Sequence, residues 1–170
     1  ATLAEVEDLY RPYKQKRRTR ATIAREKGLE PLVRLLSAQG PAVDPRQAAL
    51  DFLDPDKGVE TAEDALQGAS DILAEEISDD ADIRRELRQL YLRRGMLASR
   101  AAAKEPEDTV YRLYYDFKVP VGRAQGHQVL AINRGEREGV LKVSVEMERE
   151  AALIPVRRAV LNPGAPAMAF

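Results

Sequence analysis

Thr61 and Asp64 stand three apart, ahead of Ala65, Leu66, Ala69, Ile72, Leu73 and Ile77. The first pair is the signature of a reciprocal helix cap, and the later spacing places every apolar side chain on one stripe of a helix. A helix apolar on one side only must lay that side against other elements, so the chain is predicted to build its core from packed helices. Shorter pieces repeat the pattern. Leu3, Val6, Leu9 and Tyr10 recur at helical spacing until Pro12 interrupts. Helix formers resume from Thr19 to Lys27, Gly28 reads as a stop, and Pro31 suits the first turn of a helix carrying Leu32, Leu35 and Leu36. Asp44 followed by Pro45 opens a helix expected to bury Ala48, Ala49, Phe52 and Leu53, with PDKG as its terminal turn. Ser78 is expected to cap the next helix, with Asp79, Asp80 and Asp82 near its positive end, Ile83, Leu87, Leu90 and Tyr91 inward, and Gly95 after Arg93 and Arg94.

The second part of the chain is less regular. Pro106, Pro120 and Gly122 suggest a short helix and then a linker. Val129, Leu130 and Ile132 begin a helix that stops around Gly135 or Gly139, and Leu141, Val143, Val145 and Met147 then alternate with polar residues as a strand does. Residues 151 to 160 read as helix interrupted at Pro155, and NPGAPA as loop. The expected fold is mainly α, with one short β-strand or hairpin near 139–147. It divides into a helical region over 1–120, which includes the basic segment 11–27, and a second region over 121–170.

The chemistry of catalysis lacks its parts. The chain has no cysteine and one histidine, His127, so thiolate chemistry is excluded and a Ser-His-Asp arrangement would depend on that single imidazole. His127 precedes an apolar helix, which favours capping or packing. No phosphate-cradling glycine motif occurs. Asp54-x-Asp56-x-Gly58 starts like a calcium loop, but its glycine comes one position early and Ala65 stands where the bidentate carboxylate belongs. No enzyme activity, cofactor or metal is therefore expected. Neither a long apolar run nor a signal-peptide pattern is visible, and a cytoplasmic location without membrane association is expected. The absence of an initial Met suggests a piece of a longer protein.

Charge is the functional clue. Eight cations fall between Arg11 and Lys27, opposed only by Glu26, in a chain of net charge -1. From Asp44 to Glu86 the sign reverses, with fourteen carboxylates against four cations. A single-sign cluster rich in Arg can hold phosphates, and Tyr10 and Tyr13 beside it offer aromatic faces to unpaired bases. Candidate nucleic-acid contacts are Lys14, Lys16, Arg17, Arg18 and Arg20, with Arg134 and Arg137 as a second group. The alternative is an interaction scaffold, in which Arg17 and Arg18 pair with carboxylates of this chain or of a neighbouring domain.

The segment VEDLYRPYKQKRRTRATIAREKGLEPL from Val6, followed by DALQGASDILAEEISDDADIRRELR and by LAINRGEREGVLKVSV at 130 to 145, closely resembles the bacterial Tex proteins, the transcription accessory factors. The likeness runs from about Val6 to Val145. Where the family usually reads Ser-His-Arg, Gly126, His127 and Gln128 stand here, so the arginine is replaced. The resemblance implies the largely helical N-terminal region of a much longer protein, followed there by RNase H-like, helix-hairpin-helix and OB-fold RNA-binding domains. It implies a role in transcription, with nucleic acid as partner, RNA rather than DNA. The transcription machinery and the remaining domains of the same polypeptide are further implied partners.

Overall fold

A computed structural model describes residues 2–14, 17–40, 43–103 and 108–163. Among them are eight α-helices and one three-stranded sheet. The chain divides into two compact units, one from Ala1–Arg84 with Pro155–Phe170, the other Arg85–Ile154.

The first unit is helical. It contains α1 (Leu3–Tyr10), α2 (Arg20–Glu26), α3 (Glu30–Ser37), α4 (Pro45–Leu50) and α5 (Ala62–Asp79), the start of α6 (Ala81–Arg94) and the end of α8 (Arg149–Val160). The expected cap of α5 is present: the Thr61 side chain accepts from the Asp64 N–H, and the Asp64 carboxylate accepts from the Thr61 N–H at 3.0 Å. Asp44 likewise caps α4, its carboxylate accepting from the Arg46 N–H at 2.9 Å. The core gathers Ala65, Ala69 and Ile72 of α5 with Ala21 and Ala24 of α2, Leu29, and Leu32 and Val33 of α3. Small side chains let α2 and α5 approach closely. A Cβ built on Gly68 would collide with Leu29 and lie 3.3 Å from the Ala24 methyl. Gly28, at φ 84, supplies the left-handed turn that ends α2 and starts α3.

Three local expectations are corrected. The α4 helix stops at Leu50, and Leu53, expected inside, is exposed because the chain turns at Asp51 before that position is reached. The cap of α6 is Asp80, not Ser78: its carboxylate accepts from the N–H groups of Asp82 and Ile83 at 2.9 and 2.8 Å, while Ser78 is still inside α5. The α8 helix runs unbroken through Pro155, which is buried.

In the second unit, β1 (Met96–Ala101) lies between β2 (Asp116–Pro120) and β3 (Leu141–Glu146), antiparallel to both. The alternating stretch is therefore a strand, as its period requires, and β1 and β2 extend it to a sheet. One sheet face is polar: Arg100 and Lys118 both hold Glu146, at 2.8 Å each. Helix α7 (Gly126–Arg137) presents Ile132 and Gly135 to the core side. A Cβ at Gly135 would come within 2.7 Å of Leu141 and 3.1 Å of Tyr111, so α7 packs where only glycine fits.

Candidate nucleic-acid interface

Pro12 cannot donate to the helix ladder, so α1 ends at Tyr10 and the chain leaves through a 3-10 turn, Arg11–Tyr13. Helix α2 restarts behind Thr19, whose side-chain oxygen accepts from the Thr22 N–H at 3.1 Å and whose hydroxyl donates to Glu75 at 2.9 Å. The acidic end of α5 then takes hold of both flanks of the basic stretch. Arg11 donates to Asp79 at 3.1 Å, and Arg25 to Glu75 at 2.7 Å with Glu76 3.8 Å away. Each of these half-exposed pairs is worth under about 1 kcal/mol, so they orient the segment more than they stabilise it. Arg18 pairs with Glu26 at 2.6 Å on the surface, and Lys27 donates to the Gly58 carbonyl at 2.7 Å.

A row of cations remains between these anchors. Lys14, Arg17 and Arg20 are exposed and make no ion pair among the described residues. Lys16 lies outside the described residues. Beside the row, Tyr13 is 82% exposed and Tyr10 60%. Asp8 of α1, only 4% exposed, accepts from the Arg84 Nε at 2.7 Å, while Leu3, Val6 and Leu9 of the same helix are exposed.

The second predicted group divides differently, and it belongs to the other compact unit. Arg134 donates to Glu138 at 2.9 Å, and the same carboxylate accepts from the buried Tyr111 hydroxyl at 2.8 Å. Arg137 is exposed without an ion pair among the described residues. The Arg134 guanidinium, then the Tyr111 hydroxyl, hold the Glu138 carboxyl below its ordinary range, while burial and then Glu138 push the Tyr111 hydroxyl up. A carboxyl with a lowered folded pKa contributes stability above its unfolded value, about 4.3, and loses it as pH falls through the folded value. Melting temperature measured between neutral and acid pH is thus expected to fall less steeply for Glu138→Gln than for wild type. Parallel curves would remove this carboxylate from the acid limb.

His127 is exposed and does not cap α7; Gln128 does so, its side chain accepting from the Gln125 N–H at 2.9 Å. No group of three or more His, Cys, Asp or Glu among the described residues is placed to hold a metal ion. A groove of about 710 Å³ in the first unit is walled mainly by Val33, Leu36, Leu66 and Leu73, and the one carboxylate among its described lining residues, Asp44, serves as the α4 cap. No described helix is long and apolar enough to cross a membrane.

Comparison with known proteins agrees with the sequence likeness. A family model described as Tex central region-like matches residues 40–161. The chain is 46% identical to the protein YdcI of Bacillus subtilis over 85% of its length, covering 20% of that relative. It is 38% identical to the transcriptional accessory protein Tex of Neisseria gonorrhoeae over 84% of its length and 19% of the relative's. Human S1 RNA-binding domain-containing protein 1 matches at 34% over 86% of the chain, 15% of that relative. The chain thus spans about a fifth or less of these relatives.

Proposed function

Since the chain belongs to the Tex family, we propose that it is a non-enzymatic module that helps to hold single-stranded RNA during transcription, with Lys14, Arg17 and Arg20 on phosphates and Tyr10 and Tyr13 against bases. The observation that carries this reading is the open row of cations beside two bare phenol rings. Phosphate contact by unpaired cations releases counterions, and stacking on an aromatic face tolerates any base. The names of two relatives, one a transcriptional accessory protein and one an S1 RNA-binding domain protein, support the choice of polymer. Lys16 would extend the row, and Arg137 would add a separate contact on the second unit.

The scaffold reading keeps a defined share. Arg11, Arg18 and Arg25 pair with Asp79, Glu26 and Glu75 of the chain itself, and Arg134 with Glu138. Those four position backbone and helix ends, and Arg18 and Arg134 are the poorer candidates for phosphate contact. In this division α5 fixes the platform and the cations between its anchors face outward.

The test is fluorescence anisotropy of labelled oligouridylate with the 170-residue chain. Tyr13→Ala is expected to weaken binding about fivefold to tenfold, the loss of one base stack, with an unchanged salt slope. Equal affinities for wild type and Tyr13→Ala would reject the stacking role, and absence of binding at low salt would reject the whole reading.

A further inference from the structure

The sheet of the second unit ends on an open edge. In the order β2-β1-β3, no strand lies beyond β3 among the described residues. The Val140 carbonyl accepts from the Ala102 N–H at 2.8 Å, and the pairing of Leu141 with Ala101 through Glu146 with Met96 continues that register. Antiparallel pairs alternate, so Lys142, Ser144 and Glu146 turn their backbone groups to β1, while Val143 and Val145 turn theirs away from it. The outward N–H and C=O groups of Val143 and Val145 have no partner among the described residues, and Val145 is 50% exposed. Such a row is a template for a further strand.

The side chains along the edge decide which strand fits. Lys142, Ser144 and Glu146 share the polar face of the sheet. Lys142 is exposed, makes no ion pair among the described residues and stands directly across from Arg100, a like charge. Glu146 holds Arg100 and Lys118, and a carboxylate with about four lone-pair sites can accept a third cation. An arriving strand should therefore set a carboxylate opposite Lys142 and a cation opposite Glu146. A second β3 does both. Two copies paired antiparallel about Ser144 place Lys142 of each opposite Glu146 of the other, and Val143 opposite Val145. In that register the valine pairs take the hydrogen-bonded positions, which use the outward backbone groups. Centred on Val143 instead, the pairing sets Lys142 against Ser144 and loses both ion pairs.

We propose that the outer edge of β3 recognises a second copy of this chain, joining two sheets through antiparallel β3 strands about a two-fold axis at Ser144. This interface is independent of the cationic row of the first unit, and either can fail without the other. Sedimentation velocity of the 170-residue chain over a concentration series reads it, with a reversible dimer expected. Val145→Pro removes an outward donor and leaves the bonds to β1 in place, since proline is tolerated where an edge N–H faces solvent. It should weaken dimerisation about tenfold or more. Lys142→Ala should weaken it about fivefold, the loss of two cross-strand ion pairs. Both positions are exposed, and the amide spectrum of each variant checks its fold. A monomer up to about 1 mM would overturn the inference. So would a dimer that Val145→Pro leaves intact, or an affinity that Lys142→Ala leaves unchanged. Tighter dimerisation of Lys142→Ala would overturn it as well, by making Lys142 the guard that keeps other strands off this edge.

Discussion

Truncation of Ile72 to alanine is expected to lower the unfolding free energy by about 3 kcal/mol, read as a reduced urea midpoint with an unchanged denaturant slope. Ile72 is fully buried at the centre of the first unit, in a cluster with Leu29, Leu32, Val33, Ala65 and Ala69. The loss has a transfer component and a cavity component, and the cavity component depends on how far the surroundings collapse. Collapse is restricted here because α2 and α5 already meet across Gly68, where Leu29 and the Ala24 methyl leave no space for even one added carbon. The alanines that line the cluster have no rotamers with which to fill a void. A loss below about 1 kcal/mol would mean that the two helices do not pack in this way. Because α5 also carries Glu75, Glu76 and Asp79, the same variant separates stability from binding. Well below its melting temperature it should hold oligouridylate as wild type does.

Helix positions were legible in the sequence wherever a cap and an apolar period coincided. The Thr61 and Asp64 box and the stripe from Ala65 to Ile77 specify α5 by themselves, and Asp44 with Pro45 does the same for the start of α4. The strands β1 and β2 were not legible. Met96–Ala101 has small and polar residues where a half-buried strand usually shows large apolar ones, and its pairing is supplied by partners distant in sequence. Periodicity also gives the apolar side of a helix without saying whether it faces inward. In α1 it is Asp8 that is buried, accepting from Arg84 across 76 positions, while Leu3, Val6 and Leu9 are exposed.

For the candidate site, the sequence showed both halves of the electrostatics but not how they combine. The basic run and the acidic run are each visible as strings of one sign. Which cations are spent depends on Glu75, Glu76 and Asp79 sharing the end of α5 that faces α2 and the turn after α1. A reader of the sequence who placed 75, 76 and 79 on one helical face would have had the signal, since those positions are one turn apart. Arg17 and Arg18, adjacent in the chain, separate in role for the same reason: Arg18 reaches Glu26, and Arg17 has no carboxylate partner among the described residues.

Exchange of the open cations carries the largest effect expected on binding. Lys14, Arg17 and Arg20 changed together to alanine should weaken oligouridylate binding about a hundredfold at low salt, close to 1 kcal/mol for each lost phosphate contact. Folding stability should change little, because none of the three makes an ion pair among the described residues. Arg11→Ala and Arg25→Ala make the complementary case: they break the pairs with Asp79 and Glu75 and act through the position of the segment.

The most direct measurement is the dependence of the oligouridylate association constant on salt concentration for wild type and the triple variant. Three phosphate contacts to a single strand predict that the slope of log K against log salt becomes shallower by about 2 in the variant. The same slope and the same affinity for both proteins would show that the outward cations between the α5 anchors do not meet a polyanion.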